Sequence, residues 1–176
     1  PESVADHSYR LALLALAIAP ELGLDAGRAA AIALVHDLAE SELGDRYVDP
    51  AAPDAEARQR AKGDEEAAVL DRLAGRSGWG DLFADYRRGS SPEGRLVRQL
   101  DKLEMALTAL DYERSGAGGL DEFWDSAAAG VGEGPVADLL AEARSRRPRR
   151  RENGMLVRVA PGIHFWQWMS PEKGYH

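Results

Sequence analysis

At 176 residues, with 44% hydrophobic and 30% charged side chains, the chain fits one globular domain able to bury a core without cross-links. The lack of cysteine excludes disulfides, thiolate metal sites and cysteine nucleophiles, and it fits a reducing, cytoplasmic setting. A net charge of −8 argues against a nucleic acid polymer as main partner, and no apolar run or leader pattern marks a membrane span or a signal peptide.

The chain opens on Pro1 rather than Met, so the natural protein is expected to extend further upstream. A first helix is predicted over residues 3–19, where Ala and Leu dominate and Val4, His7, Leu11, Leu14 and Ile18 recur at helical spacing. Pro20 and Gly23 end it. Asp25 is placed to cap a second helix over 26–41, with Ala30, Leu34, Asp37 and Leu38 turned inward. Residues 43–53 hold Gly44, Asp45, Asp49, Pro50 and Pro53 and read as a loop.

A third helix is predicted over 54–74, a break over 75–80 and a short helix over 81–88. Ser91-Pro92-Glu93 has the form of a helix start, and the helix it opens runs to about 114 with a stripe of Leu96, Leu100, Leu103, Leu107 and Leu110. After the glycines of 116–119, two last helices are expected over 120–128 and 135–144. The fold class is therefore all-α, with a helical domain over 1–146. Residues 147–176 form a short irregular tail with a basic run, a potential strand at 155–159 and an aromatic stretch at 164–169, expected to pack across the helical body.

Four potential metal ligands fall on three of these helices: His7 on the first, His36 and Asp37 near the end of the second, and Asp101 in the middle of the long one. Imidazole and carboxylate together suit divalent first-row metals, and a cysteine-free chain has no better donor set. Asp37 and Asp101 each interrupt an apolar neighbourhood, and a buried carboxylate is costly unless paired or metal-bound. Any one of these residues alone is more often a hydrogen-bonded core residue or an ion pair; the four together weaken that reading. Glu40 follows His36 by four and Asp37 by three, so on one continuous helix it would share their face, while Asp45 follows Gly44 in the adjoining loop.

The segments Glu2-Ser3-Val4-Ala5-Asp6-His7, Val35-His36-Asp37-Leu38-Ala39-Glu40, Gly44-Asp45 and Asp101-Lys102-Leu103-Glu104 resemble the HD-domain superfamily of phosphohydrolases. Within it the likeness is to the bacterial 5′-deoxynucleotidase branch and its eukaryotic HD-domain relatives, over about residues 1–124. Lys62 and Glu66 also match a charged pattern in the family's middle helix. The resemblance implies an all-helical bundle holding one divalent cation on His7, His36, Asp37 and Asp101, with Glu40 and Asp45 in catalysis or substrate binding. It implies an Arg upstream of Pro1 that contacts substrate phosphate, and a homodimer.

The expected reaction is hydrolysis of a small phosphate monoester, foremost a deoxynucleoside 5′-monophosphate, to nucleoside and phosphate. Glu40 is expected to orient the water and Asp45 to act as general acid, while Arg10 and Lys102 are candidate cations for the substrate phosphate. Mn, Co, Zn, Fe and Mg are all compatible metals. Two other readings stay open. One is an HD-fold di-iron oxygenase, although the extra histidines it needs are absent from the middle helices and His164 and His176 lie in the tail. The other is a non-catalytic helical module with a vestigial metal site.

Overall fold

The structure is a computed structural model, and it describes residues 3–44, 48, 52–74, 78–150 and 156–157. Among the described residues the fold is all-α, as the sequence pattern predicts. Helix α1 (Val4–Ile18) starts on a reciprocal cap: the Asp6 amide donates to the Ser3 hydroxyl at 3.1 Å, and the Ser3 amide donates to the Asp6 carboxylate at 3.2 Å. A 3-10 turn at Pro20–Leu22 follows and ends on Gly23, whose φ of 70° is a backbone state that favours glycine. Asp25 then accepts the Arg28 amide at 2.9 Å and opens α2 (Ala26–Val35).

Helix α2 is shorter than its apolar pattern suggests. The His36 amide still bonds the Ile32 carbonyl four residues back, but Leu38, Glu40, Ser41 and Glu42 each bond a carbonyl three residues back. The chain thus tightens into 3-10-like turns before a last helical turn, α3 (Glu40–Leu43), and the expected continuous helix over 26–41 is broken. Of the expected inward face, Ala30 is buried and Leu38 half-buried, but Leu34 is 52% exposed, and Ala29, Ile32 and Ala33 are buried instead.

Helices α4 (Ala55–Ala74), α5 (Trp79–Arg88), α6 (Pro92–Arg114), α7 (Asp121–Val131) and α8 (Pro135–Ser145) complete the body. Helix α6 is its axis, touching α1, α2, α5, α7 and α8. Leu96, Val97, Leu100, Leu103 and Leu110 on its inner side join Leu11 and Leu14 of α1, Ile32 of α2, Trp124 of α7 and Val136 of α8 in one core. Buried alanines at 12, 15, 29 and 33 let α1 and α2 approach closely. Each large side chain fully buried here contributes about 1.5–3 kcal/mol. A smaller cluster of Ala39, Val69, Leu70 and Phe83 ties α4 and α5 to the turn after α2.

The corner between α5 and α6 is fixed by one buried carboxylate. Asp85 accepts bonds from the Ser90 hydroxyl, the Ser91 amide and hydroxyl, and Arg28, all at 2.6–2.8 Å. Burial alone would raise its pKa; these donors outweigh that and hold it well below the usual carboxylate range. Gly94 lies against the same carboxylate, where a Cβ would come within 2.6 Å of an Asp85 oxygen.

At the other end, Arg147 donates to Glu113 and Asp121 and stacks 4.9 Å over the Trp124 ring, fastening the end of α8 to α6 and α7. The backbone of β1 (Arg149–Arg150) pairs antiparallel with β2 (Leu156–Val157), inside the strand expected at 155–159. The aromatic stretch 164–169, with His164, and the terminal His176 lie outside the described residues. No helix among the described residues is long and apolar enough to cross a membrane.

Candidate metal centre

His7 sits one turn into α1, His36 and Asp37 stand where α2 gives way to tighter turns, and Asp101 lies midway along α6. Three segments far apart in sequence thus meet in one cleft. The two imidazole Nε2 atoms are 3.2 Å apart. Asp37 Oδ2 lies 3.0 Å from His36 Nε2 and 3.8 Å from His7 Nε2, and Asp101 Oδ1 lies 3.3 Å from His7 Nε2.

The outer nitrogens decide what the inner ones can do. His36 Nδ1 lies 2.7 Å from the Ala33 carbonyl oxygen, which only accepts, so Nδ1 carries the proton. His7 Nδ1 lies 2.6 Å from Glu104 Oε2, a carboxylate oxygen that likewise accepts. In the neutral form each ring therefore turns an Nε2 lone pair toward the other, with Asp37 beside both and Asp101 beside His7. Such a set of two nitrogens and two oxygens has no good internal pairing, and it is the donor chemistry of a divalent first-row cation. Donor atoms about 2.0–2.2 Å from one ion stand roughly 3 Å from each other, the spacing seen here. His7, His36 and Asp37 each offer a ligand atom within 4.8 Å of the others.

Without a cation, the cluster favours protonated imidazoles. Burial disfavours the charged form of His7, but hydrogen bonds to Asp101 and Glu104 outweigh it and raise its pKa to about 10. His36 is raised as well: its burial opposes the charge, and Asp37 overrides it. Asp101 is held well below the usual carboxylate range, because the bond to His7 and the Lys102 charge outweigh its burial. A metal ion would take the place of the positive charge that these protons supply.

The cleft has a volume of about 760 Å³. Glu40 lines it, with Lys62 Nζ 3.0 Å from its Oε1, and Lys62 also lies 3.5 Å from Glu66. The continuous helix that would set Glu40 on one face with His36 and Asp37 is absent; the tight turns carry Glu40 to the cleft wall instead. Lys102 also lines the cleft, with its Nζ 3.2 Å from Asp101 Oδ2. Asp45 lies outside the described residues.

Arg10 does not line the cleft. Its Nη2 donates to Thr108 Oγ1 at 3.0 Å and its Nε lies 3.0 Å from Glu104 Oε1, so its guanidinium lies behind His7 and the phosphate contact expected of it finds no support there.

Two residues of the site, Tyr86 and Arg87, escape a reading of the sequence, and Glu104 enters it only within the Asp101-Lys102-Leu103-Glu104 segment, without a role. Glu104 is 1% exposed and bonds His7. The Tyr86 hydroxyl donates to Asp101 Oδ2 at 3.0 Å while its ring packs edge-on against His36, and burial followed by the Asp101 charge pushes its pKa well above the ordinary value. Arg87 lines the cleft with its guanidinium laid across Gly63, a seat that any side chain at that position would occupy. The clue for Glu104 was present, since it stands three residues after Asp101 on the same helix face.

The HD domain family model matches residues 1–143. The chain is 34% identical to human 5′-deoxynucleotidase HDDC2 over 152 residues, which is 84% of this chain and 73% of that protein. It is 31% identical over 120 residues to the 5′-deoxynucleotidase hdd1 of Schizosaccharomyces pombe, covering 65% of this chain and 60% of that one. Among solved structures, a conserved hypothetical protein from Pyrococcus furiosus superposes with a TM-score of 0.65 at 34% identity, covering 82% of this chain and 84% of its own. A protein from Pyrococcus horikoshii OT3 does so at 35% identity and the same TM-score, covering 82% of each chain. The chain belongs to the HD domain family. Membership implies divalent-metal binding, and the His and Asp cluster supplies fitting donors.

Proposed function

We propose that this protein is a metal-dependent phosphohydrolase that converts a deoxynucleoside 5′-monophosphate to nucleoside and phosphate. The observation that carries the reading is the pair of inward-facing Nε2 atoms, with Asp37 and Asp101 beside them, lining a cleft of nucleotide size. The similarity to 5′-deoxynucleotidases over most of the chain supports the choice of substrate.

In this reading His7, His36, Asp37 and Asp101 hold one divalent ion. When bound, such an ion neutralises phosphoryl oxygens and lowers the pKa of a water ligand. Glu40 orients the attacking water, steadied by Lys62. Asp45 protonates the leaving 5′-oxygen. Lys102 and Arg87 on the cleft wall face the phosphate. The cleft is also lined by Met105, Ala109, Tyr112, Leu120 and Phe123, apolar and aromatic side chains suited to deoxyribose and base. Residues 1–146 act as the catalytic domain with 147–176 as an appendage, and the protein works as a cytoplasmic homodimer.

The test is phosphate release from deoxyribonucleotides and ribonucleotides with Mn, Co, Zn, Fe and Mg supplied in turn. Release from 5′-monophosphates, faster for the 2′-deoxy forms, is expected. Equal rates on ribonucleotides would remove the deoxy preference alone. Cleavage of phosphodiesters without monoesterase activity would overturn the reading itself.

A further inference from the structure

We propose that Glu104 is a positioning residue that, held by Arg10 and Thr108, locks His7 in the tautomer that leaves Nε2, the nitrogen facing His36, Asp37 and Asp101, free to ligate a metal ion. The inference rests on the metal reading of the cluster and adds to it a group that acts through His7.

Glu104 is among the most buried side chains of the molecule, and an interior carboxylate is costly unless every lone pair has work. Its two oxygens are divided. Oε2 lies 2.6 Å from His7 Nδ1. Oε1 accepts from the Thr108 hydroxyl at 2.9 Å and lies 3.0 Å from Arg10 Nε, while Arg10 Nη2 also donates to Thr108 Oγ1 at 3.0 Å. The arrangement follows from helix spacing: His7 and Arg10 are three apart on α1, and Glu104 and Thr108 are four apart on α6. Each helix thus contributes a pair, and the carboxylate cannot turn without leaving one partner or the other.

The consequence concerns hydrogen atoms. A carboxylate only accepts, so His7 must place a proton on Nδ1, and its Nε2 is left for the ion. The Arg10 charge beside Oε1 reinforces this choice. A guanidinium only donates, so the oxygen it faces must stay an acceptor. In a Glu104→Gln variant the amide has one acceptor and one donor to distribute. With its oxygen kept toward Arg10 and Thr108, it presents NH₂ to His7 Nδ1. That nitrogen must then accept, the proton moves to Nε2, and the ligand is blocked. The reverse orientation sets an NH₂ donor against Arg10 Nε. The isosteric change, harmless to packing, is therefore harmful to the metal site.

The test is calorimetric titration of Zn²⁺ into metal-free protein: the parent, Glu104→Gln, and Glu104→Gln combined with Arg10→Met. The single variant is expected to bind about 10- to 100-fold more weakly, as loss of an outer partner to a ligating histidine usually does. Its metal-free melting temperature should stay near the parent's. The double variant, with the guanidinium gone, lets the amide oxygen turn to His7 and should recover a large part of the affinity. Glu104→Gln binding within about threefold of the parent overturns the inference. A double variant no better than the single one overturns the part given to Arg10. A parent that binds neither Zn²⁺ nor Mn²⁺, Co²⁺, Fe²⁺ or Mg²⁺ titrated in its place overturns the metal reading, and this inference with it. A readout free of substitutions is the ¹H–¹⁵N histidine spectrum of the Zn²⁺-loaded parent. It should show His7 protonated on Nδ1 and metallated on Nε2, and metal on Nδ1 would refute the proposal.

Discussion

Replacing Gly94 by alanine should destabilise the protein even though alanine is the better helix former. Gly94 lies in the first turn of α6, where propensity alone would favour alanine by at most about 1 kcal/mol. Packing opposes it. The added Cβ would stand 2.6 Å from Asp85 Oδ1 and 2.9 Å from the Asp85 carbonyl oxygen, well inside any normal contact. Asp85 cannot yield cheaply, because its carboxylate is held by Ser90, by Ser91 twice and by Arg28. Overpacking of this kind costs ~1–3 kcal/mol. Displacing one bond to a charged acceptor costs a further ~1.5–3 kcal/mol. Against the propensity gain, a net loss of about 2–4 kcal/mol is expected. Urea unfolding followed by circular dichroism should show the midpoint lowered by about 1 M or more with an unchanged slope. A midpoint equal to or above the parent's would refute the claim that this corner is closed against a methyl group.

Further outcomes follow from the same contacts. Because the native Asp85 carboxyl is held well below its ordinary range, the unfolded chain takes up that proton more readily. Its contribution to stability is complete above about pH 5 and declines as pH falls below about 4, so the stability gap between the parent and Asp85→Asn should narrow there in acid unfolding curves. Asp101→Ala should abolish stoichiometric metal while leaving most of the helicity, and full metal by elemental analysis in a folded variant would remove Asp101 from the site. Glu40→Ala should keep the metal and lose roughly 100- to 10,000-fold in turnover; steady-state rates within about threefold of the parent would leave Glu40 an ordinary charge paired with Lys62.

The helices and the inward side of α6 were legible because apolar residues at helical spacing report burial directly. Leu96, Leu100, Leu103 and Leu110 are all in the core. The break after Val35 was not legible. Residues 36–43 carry no Gly or Pro, and the change from i−4 to i−3 bonding is a backbone event that side-chain periodicity does not record. Candidate ligands could be picked by residue type, since few side chains bind metals. The partners that orient them could not. Glu104 and Arg10 look like ordinary helix charges until α1 and α6 are brought together, 97 positions apart at the His7–Glu104 bond. Arg10 shows the hazard plainly: a cation one turn from His7 suggests a phosphate contact, and only packing reveals which way it points.

The candidate donors come from α1, from the end of α2 and from α6, the same three segments that frame the core around Leu11, Ile32 and Leu100. An ion held across them would be a fastener for the fold as well as a reagent. At a free concentration 100 times its dissociation constant it would add about 2.7 kcal/mol to the native state, a sizeable share of a typical domain's stability. The protein's resistance to proteases would then rise and fall with the metal supply of its surroundings. Fraying of α1 would release the ion by carrying His7 away, so that scarcity of metal and turnover of the protein become linked through a single helix.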